Sequence, residues 1–502
     1  MIADLASDPR LLTAAAVAGA VYLLRPATVP FPVINEYSGD LFNKRALKEA
    51  QENVCSLLEQ GSAKFQDKPF AIRVPYGHKI ILPASLANWV KSKRELDHVQ
   101  LVRDDYFAGF PGFESQTVLH HPDEYVKRMI TTKLGQNDST MPALNTALSA
   151  AFDDVWGSST DWHTLDWHAD TMAIIARAAS TIFVGPEKAS DPEWLGLVQD
   201  YVLTYFGAVG DLHKYPRWSR QAVNWFLPSA SKCRVLTVKA RAIIDDVLAK
   251  RKQAIAKAQA EGRQPPVYND ALEWSQKDPE CKHHPADMQL SLAMAAMFTT
   301  SEMFRQILID LAWNPELAQP LRDEVRQQLS THGITVAATN NMVLLDSVMK
   351  ESQRLSAPPA VVERAVLKDT VLPDGRTLPR GSHLLVDATS LRDARVYPNP
   401  DKFDGYRFLR MREAGDKSSL FVQSSPGFLV FGSGRHICPG RFFASNELKL
   451  ALAHILLKYE IRPAAGSGDA KPFYSGFFTI VNPMVQMQVR RVENDGLASC
   501  LA

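Results

Sequence analysis

The chain has 502 residues, is 46% hydrophobic and carries a net charge of +1, so it holds enough apolar material for a large core and gives no reason to invoke nucleic acid. Its cysteines, Cys55, Cys233, Cys281, Cys438 and Cys500, are odd in number and widely spaced, with no C-x-x-C. That pattern fits a reducing compartment and speaks against a disulfide framework or a zinc site. No repeat or low-complexity block interrupts the chain, and no Gly/Ser or charged linker divides it after residue 35.

From Leu11 to Leu24 the sequence is almost wholly apolar and ends at Arg25. A helix rising ~1.5 Å per residue would carry this run over ~21 Å, short of a ~30 Å hydrocarbon core. Asp4 and Asp8 precede Arg10 where a secretory signal would carry positive charge. Residues 1–25 therefore read as an uncleaved membrane anchor, with a peripheral amphipathic or buried helix as the alternative. Arg25, Lys44, Arg45 and Lys48 follow the run and put the body of the protein on the cytosolic side. Pro26, Pro30 and Pro32 make residues 26–35 a stiff extended hinge to a single domain over 36–502.

Phe70 to Leu82 reads as two β-branched strands about a Tyr76-Gly77 turn, and from there helices dominate. Asp104 to Gln116 sets Tyr106, Phe107, Phe110 and Phe113 among glycines, which suits contact with a bulky apolar ligand or a loop pinned to the core by its rings. Tyr125 to Leu134 is a basic helix with Lys127 and Arg128. Tyr201 to Leu227 carries Tyr201, Tyr205, Phe206, Tyr215, Trp218, Trp225 and Phe226, and the charged run Lys239 to Arg263 reads as a solvated helix and its loop.

A long helix is expected from Ala286 to Trp313, stopped by Asn314-Pro315, about 42 Å at the helical rise and enough to cross a domain of this size. Within it, Ala295-Ala-Met-Phe-Thr-Thr300 offers small residues and a hydroxyl that by itself would bond back to the preceding turn. Further on, a spacing of three puts Glu351 and Arg354 on one helical face; such pairs usually decorate surfaces and contribute only about 0.3–0.5 kcal/mol. Thr377 to Ala388 is strand-like, and Phe473 to Val489 reads as a hairpin completing the same small sheet, with Ser475 to Phe478 at its tip.

The most particular stretch is Phe431-Gly-Ser-Gly-Arg-His-Ile-Cys-Pro-Gly440. Gly432 and Gly434 permit a tight turn that brings N–H groups toward the sulfur of Cys438, and Phe431 would shield that sulfur from water. The apolar periodic segment Arg441 to Tyr459 would set the positive end of a helix beside Cys438 and favour its anion. A buried structural cysteine in a glycine turn is the plainer alternative.

This stretch resembles the haem-binding signature of the cytochrome P450 family, Phe-x-x-Gly-x-Arg-x-Cys-x-Gly, matching at Phe431, Gly434, Cys438 and Gly440 and departing at His436, where arginine is usual. The resemblance implies haem b (iron protoporphyrin IX) with the Cys438 thiolate as iron ligand, and His436 as a donor to a propionate whose charge depends on pH. It extends over most of the chain. The central helix resembles the distal motif (Ala/Gly)-Gly-x-(Asp/Glu)-Thr-(Thr/Ser): Ala295 lies against the macrocycle, Thr299 falls at the oxygen-activating threonine, and Phe298 removes the acid. Glu351-Ser-Gln-Arg354 resembles Glu-x-x-Arg and, with Arg407 from Phe403-Asp-Gly-Tyr-Arg-Phe408, implies a buried network under the haem; Arg364 matches a propionate-binding position, and Ala357 to Val362 would line the pocket. The aromatic loop from Asp104 corresponds to the variable loop over the distal face, and Tyr201 to Leu227 to the mobile roof. The usual Trp-x-x-x-Arg is missing near Tyr125, leaving Lys127 or Arg128 as substitutes or as a solvated basic face.

The expected protein is mainly α with a minor β region: a haem-thiolate monooxygenase acting with dioxygen on a bulky apolar small molecule. It resembles the fungal microsomal branch that oxidises secondary metabolites, on Ala295 to Ser301 and Arg435 to Ala444. No G-x-G-x-x-G follows a strand, so electrons come from a separate NADPH-cytochrome P450 reductase, with cytochrome b5 as a further donor, at the endoplasmic reticulum membrane. The alternatives are oxidative coupling, cyclisation or desaturation without oxygen insertion, and a haem-binding sensor or carrier without turnover.

Overall fold

A computed structural model of the chain describes residues 29–492 and 499–501, apart from Leu41, Tyr76 and Gln136. The expected anchor, the start of the hinge and the Tyr76 half of the first turn therefore lie outside the described residues. From Val29 on, the proline-rich stretch is docked: Phe31 is buried, and Pro32 and Ile34 exchange backbone hydrogen bonds with Ala71 at 2.8 and 3.0 Å. Asn35 is fully buried, its side chain bonded to Arg73 and Ala46.

The chain is organised about the helix Pro285–Trp313, one residue longer at its start than expected. Pro285 occupies the first turn, where its missing N–H costs nothing, and the His284 side chain accepts from the Ala286 amide. Asn314 leaves helical geometry and Pro315 follows. Nearly every face of the helix is buried, as expected for one that is apolar around its circumference. Helices Trp167–Phe183, Glu114–Leu119, Pro228–Ala260 and Val343–Leu355 pack around it. Among the described residues no helix is long and apolar enough to cross a membrane.

Four small sheets accompany the helices among the described residues. Strands β1 (Phe70–Val74), β2 (Gly77–Leu82), β3 (Leu96–Asp97), β4 (Ala360–Val366) and β5 (His383–Asp387) form one sheet in the order β1-β2-β5-β4-β3. β1 and β2 are the expected hairpin, Phe70 facing Ile81 and Val74 facing Gly77. Between β4 and β5 the register slips: Val361 pairs with Val386 but Arg364 with Leu384. Val362, inside the slip, has φ of 59°, a left-handed conformation that a β-branched residue rarely adopts.

The C-terminal strands do not complete this sheet as expected. Phe473–Ser475 and Phe478–Ile480 pair only with each other, while Met487–Arg491 joins Tyr459–Pro463 and His163–Thr164 in a separate three-stranded sheet. The long apolar stretch hid that break, because Asn482 turns the chain between the two, bonding the Asp469 carbonyl and the Met484 amide. Thr377–Leu378 likewise pairs with Thr370–Val371, and β5 begins only after Pro379 and Gly381.

The aromatics of 201–227 divide into two sets. Tyr201 and Tyr205 are buried and donate through their hydroxyls to the carbonyls of Gly112 and Tyr106, fixing the 104–116 loop. Phe107 and Phe113 of that loop sit in the same apolar cluster, so its rings pin it to the core. Trp218 at 75% and Phe226 at 86% exposure remain on the surface with Trp225. Most of the run Lys239 to Arg263 lies on the 33-residue helix Pro228–Ala260, where Arg251 is buried against Asp270 and Glu187 and Arg241 meets both oxygens of Asp287.

Candidate active site

The cysteine loop turns where its glycines stand. Gly432 and Gly434 have φ of 75° and 62°, and a Cβ on Gly432 would meet the His436 carbonyl oxygen at 2.8 Å, so both positions need glycine. The turn closes when the Cys438 amide donates to the Phe431 carbonyl at 2.8 Å. Phe431 packs edge-on against Phe421.

The donors facing the sulfur are not on the glycine turn but on the start of helix Arg441–Lys458: the amides of Gly440 and Arg441, aided by the Arg441 charge, pull the thiol pKa down. Burial outweighs them, and the net direction is upward. The start of the helix acts in the expected direction, toward the anion, and burial acts against it. Metal coordination is what would deprotonate such a thiol outright, with the amide donors tuning the sulfur it leaves.

Across the core, the buried central helix opens on a single stripe. Thr299 is exposed, and Ala295, Ala296, Glu302 and Met303 are half-buried, at helical spacing on one side, while Met294, Met297, Thr300 and Ser301 are buried. The Thr299 hydroxyl donates to the Ala295 carbonyl at 2.8 Å. That bond back to the preceding turn leaves the oxygen's lone pairs on the open stripe. Phe298 packs partly against the cluster holding Met294 and Met297.

Glu351 and Arg354, on helix Val343–Leu355, are both 0% exposed and meet in a bidentate pair with both contacts at 2.8 Å. Arg407 adds its Nε at 3.0 Å from Glu351 Oε1. The remaining donors are used on carbonyls: Arg354 on Leu391, Arg407 on Pro398, Asn399 and Lys402. The surface alternative for this pair is excluded, and Glu351 and Arg407 come together from 56 positions apart because a planar guanidinium serves carboxylate and carbonyls at once.

Arg364 is buried on β4 and, among the described residues, gives hydrogen bonds to the carbonyls of Glu363 and Ser433, the latter at 3.5 Å. Among the described residues no carboxylate pairs with it, and burial, then the Arg435 charge, lowers its pKa to about 10. His98 and His120 stand ring to ring at 5.4 Å, with His436 6.0 Å from His98. Burial, then His120 and Arg364, holds His98 down at about 3; burial, then His436, holds His120 at about 4. The Ser433 hydroxyl is buried without a hydrogen-bond partner among the described residues. Two acids act on this corner, Asp97 and Glu363; Asp97 is taken up by Arg435 at 2.9 Å, and Glu363 lies 3.5 Å from Lys79. His436 directs Nε2 to Arg435 at 2.8 Å and lies 3.5 Å from Asp97. Lys127 donates to Glu124 and to the Arg435 carbonyl of the cysteine loop, and Arg128 donates to Glu280. His98, His120 and Arg435 were not foreseen. Lone histidines hundreds of residues from the cysteine carry no local signal, and only the fold assembles them.

A thiol in a donor-rich loop, a stripe of small residues on a buried helix, and a buried guanidinium with an orphaned hydroxyl and no acid partner are what a flat, iron-bearing, two-carboxylate macrocycle needs. The residues fit haem. A profile of the cytochrome P450 family matches residues 199–489, and the chain belongs to that family, whose cofactor is haem and whose members work with a redox partner and a substrate. Its relatives are fungal monooxygenases. Cytochrome P450 monooxygenase hepE of Aspergillus oryzae is 35% identical over 493 residues, 96% of this chain and 89% of that protein. Cytochrome P450 monooxygenase eqxH of Fusarium heterosporum is 35% identical over 463 residues, covering 90% and 88%. A solved structure, retinoic acid bound cyanobacterial CYP120A1, shares the fold with a TM-score of 0.60 at 18% identity, covering 88% of this chain and 95% of that one. The mainly α architecture with minor sheets is thereby shown, and so is the enzyme class, a cytochrome P450 monooxygenase.

Proposed function

We propose that this monooxygenase inserts oxygen into a bulky apolar small molecule of the secondary-metabolite kind. In this reading Cys438 is the iron ligand, Arg364 with His98, His120 and His436 meets the propionates, and Ala295, Ala296 and Thr299 bound the reaction space. The observation that carries it is the open Ala295/Thr299 stripe on an otherwise buried helix in a chain that also offers the cysteine loop. The relatives' fungal sources and their monooxygenase activity support the substrate class. Haem held through thiolate supplies dioxygen activation, the sulfur's electron density favouring O–O cleavage. The chain's own part is to hold a hydroxyl at Thr299 Oγ1, oriented by the Ala295 carbonyl, where it receives and passes a proton. Electrons arrive from a separate NADPH-cytochrome P450 reductase.

The test is mass-spectrometric detection of oxygen from labelled dioxygen in products formed with reductase and NADPH from candidate metabolites. Reductase-dependent product without label would favour coupling or desaturation, a reading to which Phe298 lends support: a phenyl ring replaces the acid and dries the proton supply. Ligand binding with no product at all would leave a carrier. Thr299→Ala is expected to raise peroxide released per NADPH consumed several-fold; unchanged peroxide, NADPH oxidation and product would reduce Thr299 to a helix residue.

Residues 1–25 serve in this proposal as an anchor to the endoplasmic reticulum, the body facing the cytosol. Removing them is expected to move the protein from membrane to soluble fractions with its haem spectrum intact. Retention in the membrane fraction would transfer the attachment to the exposed Trp218, Trp225 and Phe226 surface.

A further inference from the structure

Away from the cysteine loop, two segments remote in sequence bring three metal-ligating side chains together. His121 and Asp123 lie in the turn leading into helix Tyr125–Met129, and His283 lies two residues before Pro285 opens the central helix. Asp123 spans the two imidazoles: one oxygen is 3.0 Å from His121 Nδ1 and the other 2.9 Å from His283 Nε2. One ligand atom from each residue falls within a group whose members all lie within 4.8 Å of one another.

Each donor is already oriented. Asp123 also accepts the Tyr125 amide at 3.0 Å, which fixes its carboxylate at the head of that helix. The His283 side chain is only 10% exposed, packed edge-on against the His121 ring at 4.8 Å and beside Tyr125. His121 Nδ1 sits between the carboxylate at 3.0 Å and the Asp123 amide at 3.3 Å, one an acceptor and the other a donor. Its side chain is 44% exposed, so an ion has an approach from solvent and water to complete its coordination. The Arg128–Glu280 ion pair crosses the same junction at 2.8 Å.

We propose that His121, Asp123 and His283 form a binding site for a divalent first-row transition ion, with Zn2+ its representative, that clamps the entry of the central helix to the entry of helix Tyr125–Met129. Two imidazole nitrogens and one carboxylate oxygen are the donor set such ions take, with open positions left to water. Calcium and magnesium, which prefer all-oxygen shells, do not suit it. The site uses no cysteine, so the spacing of the cysteines, which spoke against zinc, had no bearing on it.

The experiment uses the full, haem-loaded chain, freed of loosely held metal by chelation and titrated with zinc chloride against a chromophoric zinc indicator. One Zn2+ per chain is expected beside the iron, with a rise in melting temperature as zinc saturates the folded form. His121→Ala and His283→Ala are each expected to weaken uptake at least tenfold and to remove the melting shift. Because a variant in this junction risks losing fold, X-ray absorption at the zinc edge of the wild-type protein is the second reading, and two imidazoles in the first shell are expected. Absent uptake in the wild type at micromolar zinc, undiminished uptake in both variants, or a shell without imidazole would each overturn the site. Calcium displacing zinc at equal concentration would overturn the class of ion.

Discussion

Cys438→Ala is expected to abolish the red-shifted Soret band of the reduced, carbon-monoxide-bound protein and with it all oxygenation. The loop 431–440 contains one sulfur, and its amide donors at Gly440 and Arg441 converge on that atom and on no other side chain. Burial opposes the free thiolate at this position, and coordination to a metal would favour it. Alanine leaves nothing to take its place: Arg441 holds the Cys438 carbonyl through its guanidinium, and His436 is committed to Arg435. Because the turn is held by backbone bonds, the variant should still fold. A band that survives the substitution would mean that another residue ligates the iron.

Glu351→Ala, and separately Arg354→Ala, should yield little folded, haem-loaded protein, in contrast to a selective fall in turnover. The two side chains are 0% exposed, and removing one strands the other's charge in the core. Breaking a buried pair in this way typically costs about 3–5 kcal/mol, a large share of the ~5–15 kcal/mol that holds a domain together. The loss spreads, since Arg354 also carries the Leu391 carbonyl and Glu351 accepts the Asp404 amide and Arg407. Thermal melting and haem content of both variants decide it: wild-type values in each would show that the network stores no stability.

The elements legible in the sequence were those whose signal is local. The stop of the central helix is written in Asn314-Pro315, the cysteine loop in its glycines, and the Glu351/Arg354 pair in a helical repeat, though only the fold shows that pair buried with Arg407. Strand partnership was not local. Phe473 to Val489 looks continuous, yet its halves belong to different sheets because Asn482 redirects the backbone between them. The histidine corner was invisible for the same reason: His98 and His120 meet Arg364 and His436 only after β3 pairs with β4. The direction of the Cys438 shift depends on how deeply the fold buries the sulfur, which no motif states.

The slip in β4 has a consequence for how this protein tolerates change. Residues opposite one another across paired strands share a face, so Val361, facing Val386, and Arg364, facing Leu384, lie on the same side of the sheet although three positions separate them. A regular strand would put them on opposite sides. The extra residue at Val362 thus lets one strand present an apolar side chain and a guanidinium in a single direction, at a conformational cost of about 1–2 kcal/mol for its left-handed turn. Deleting a single residue of β4 would swing Arg364 to the far side, so chimeras with related chains must conserve the length of this segment before its spelling.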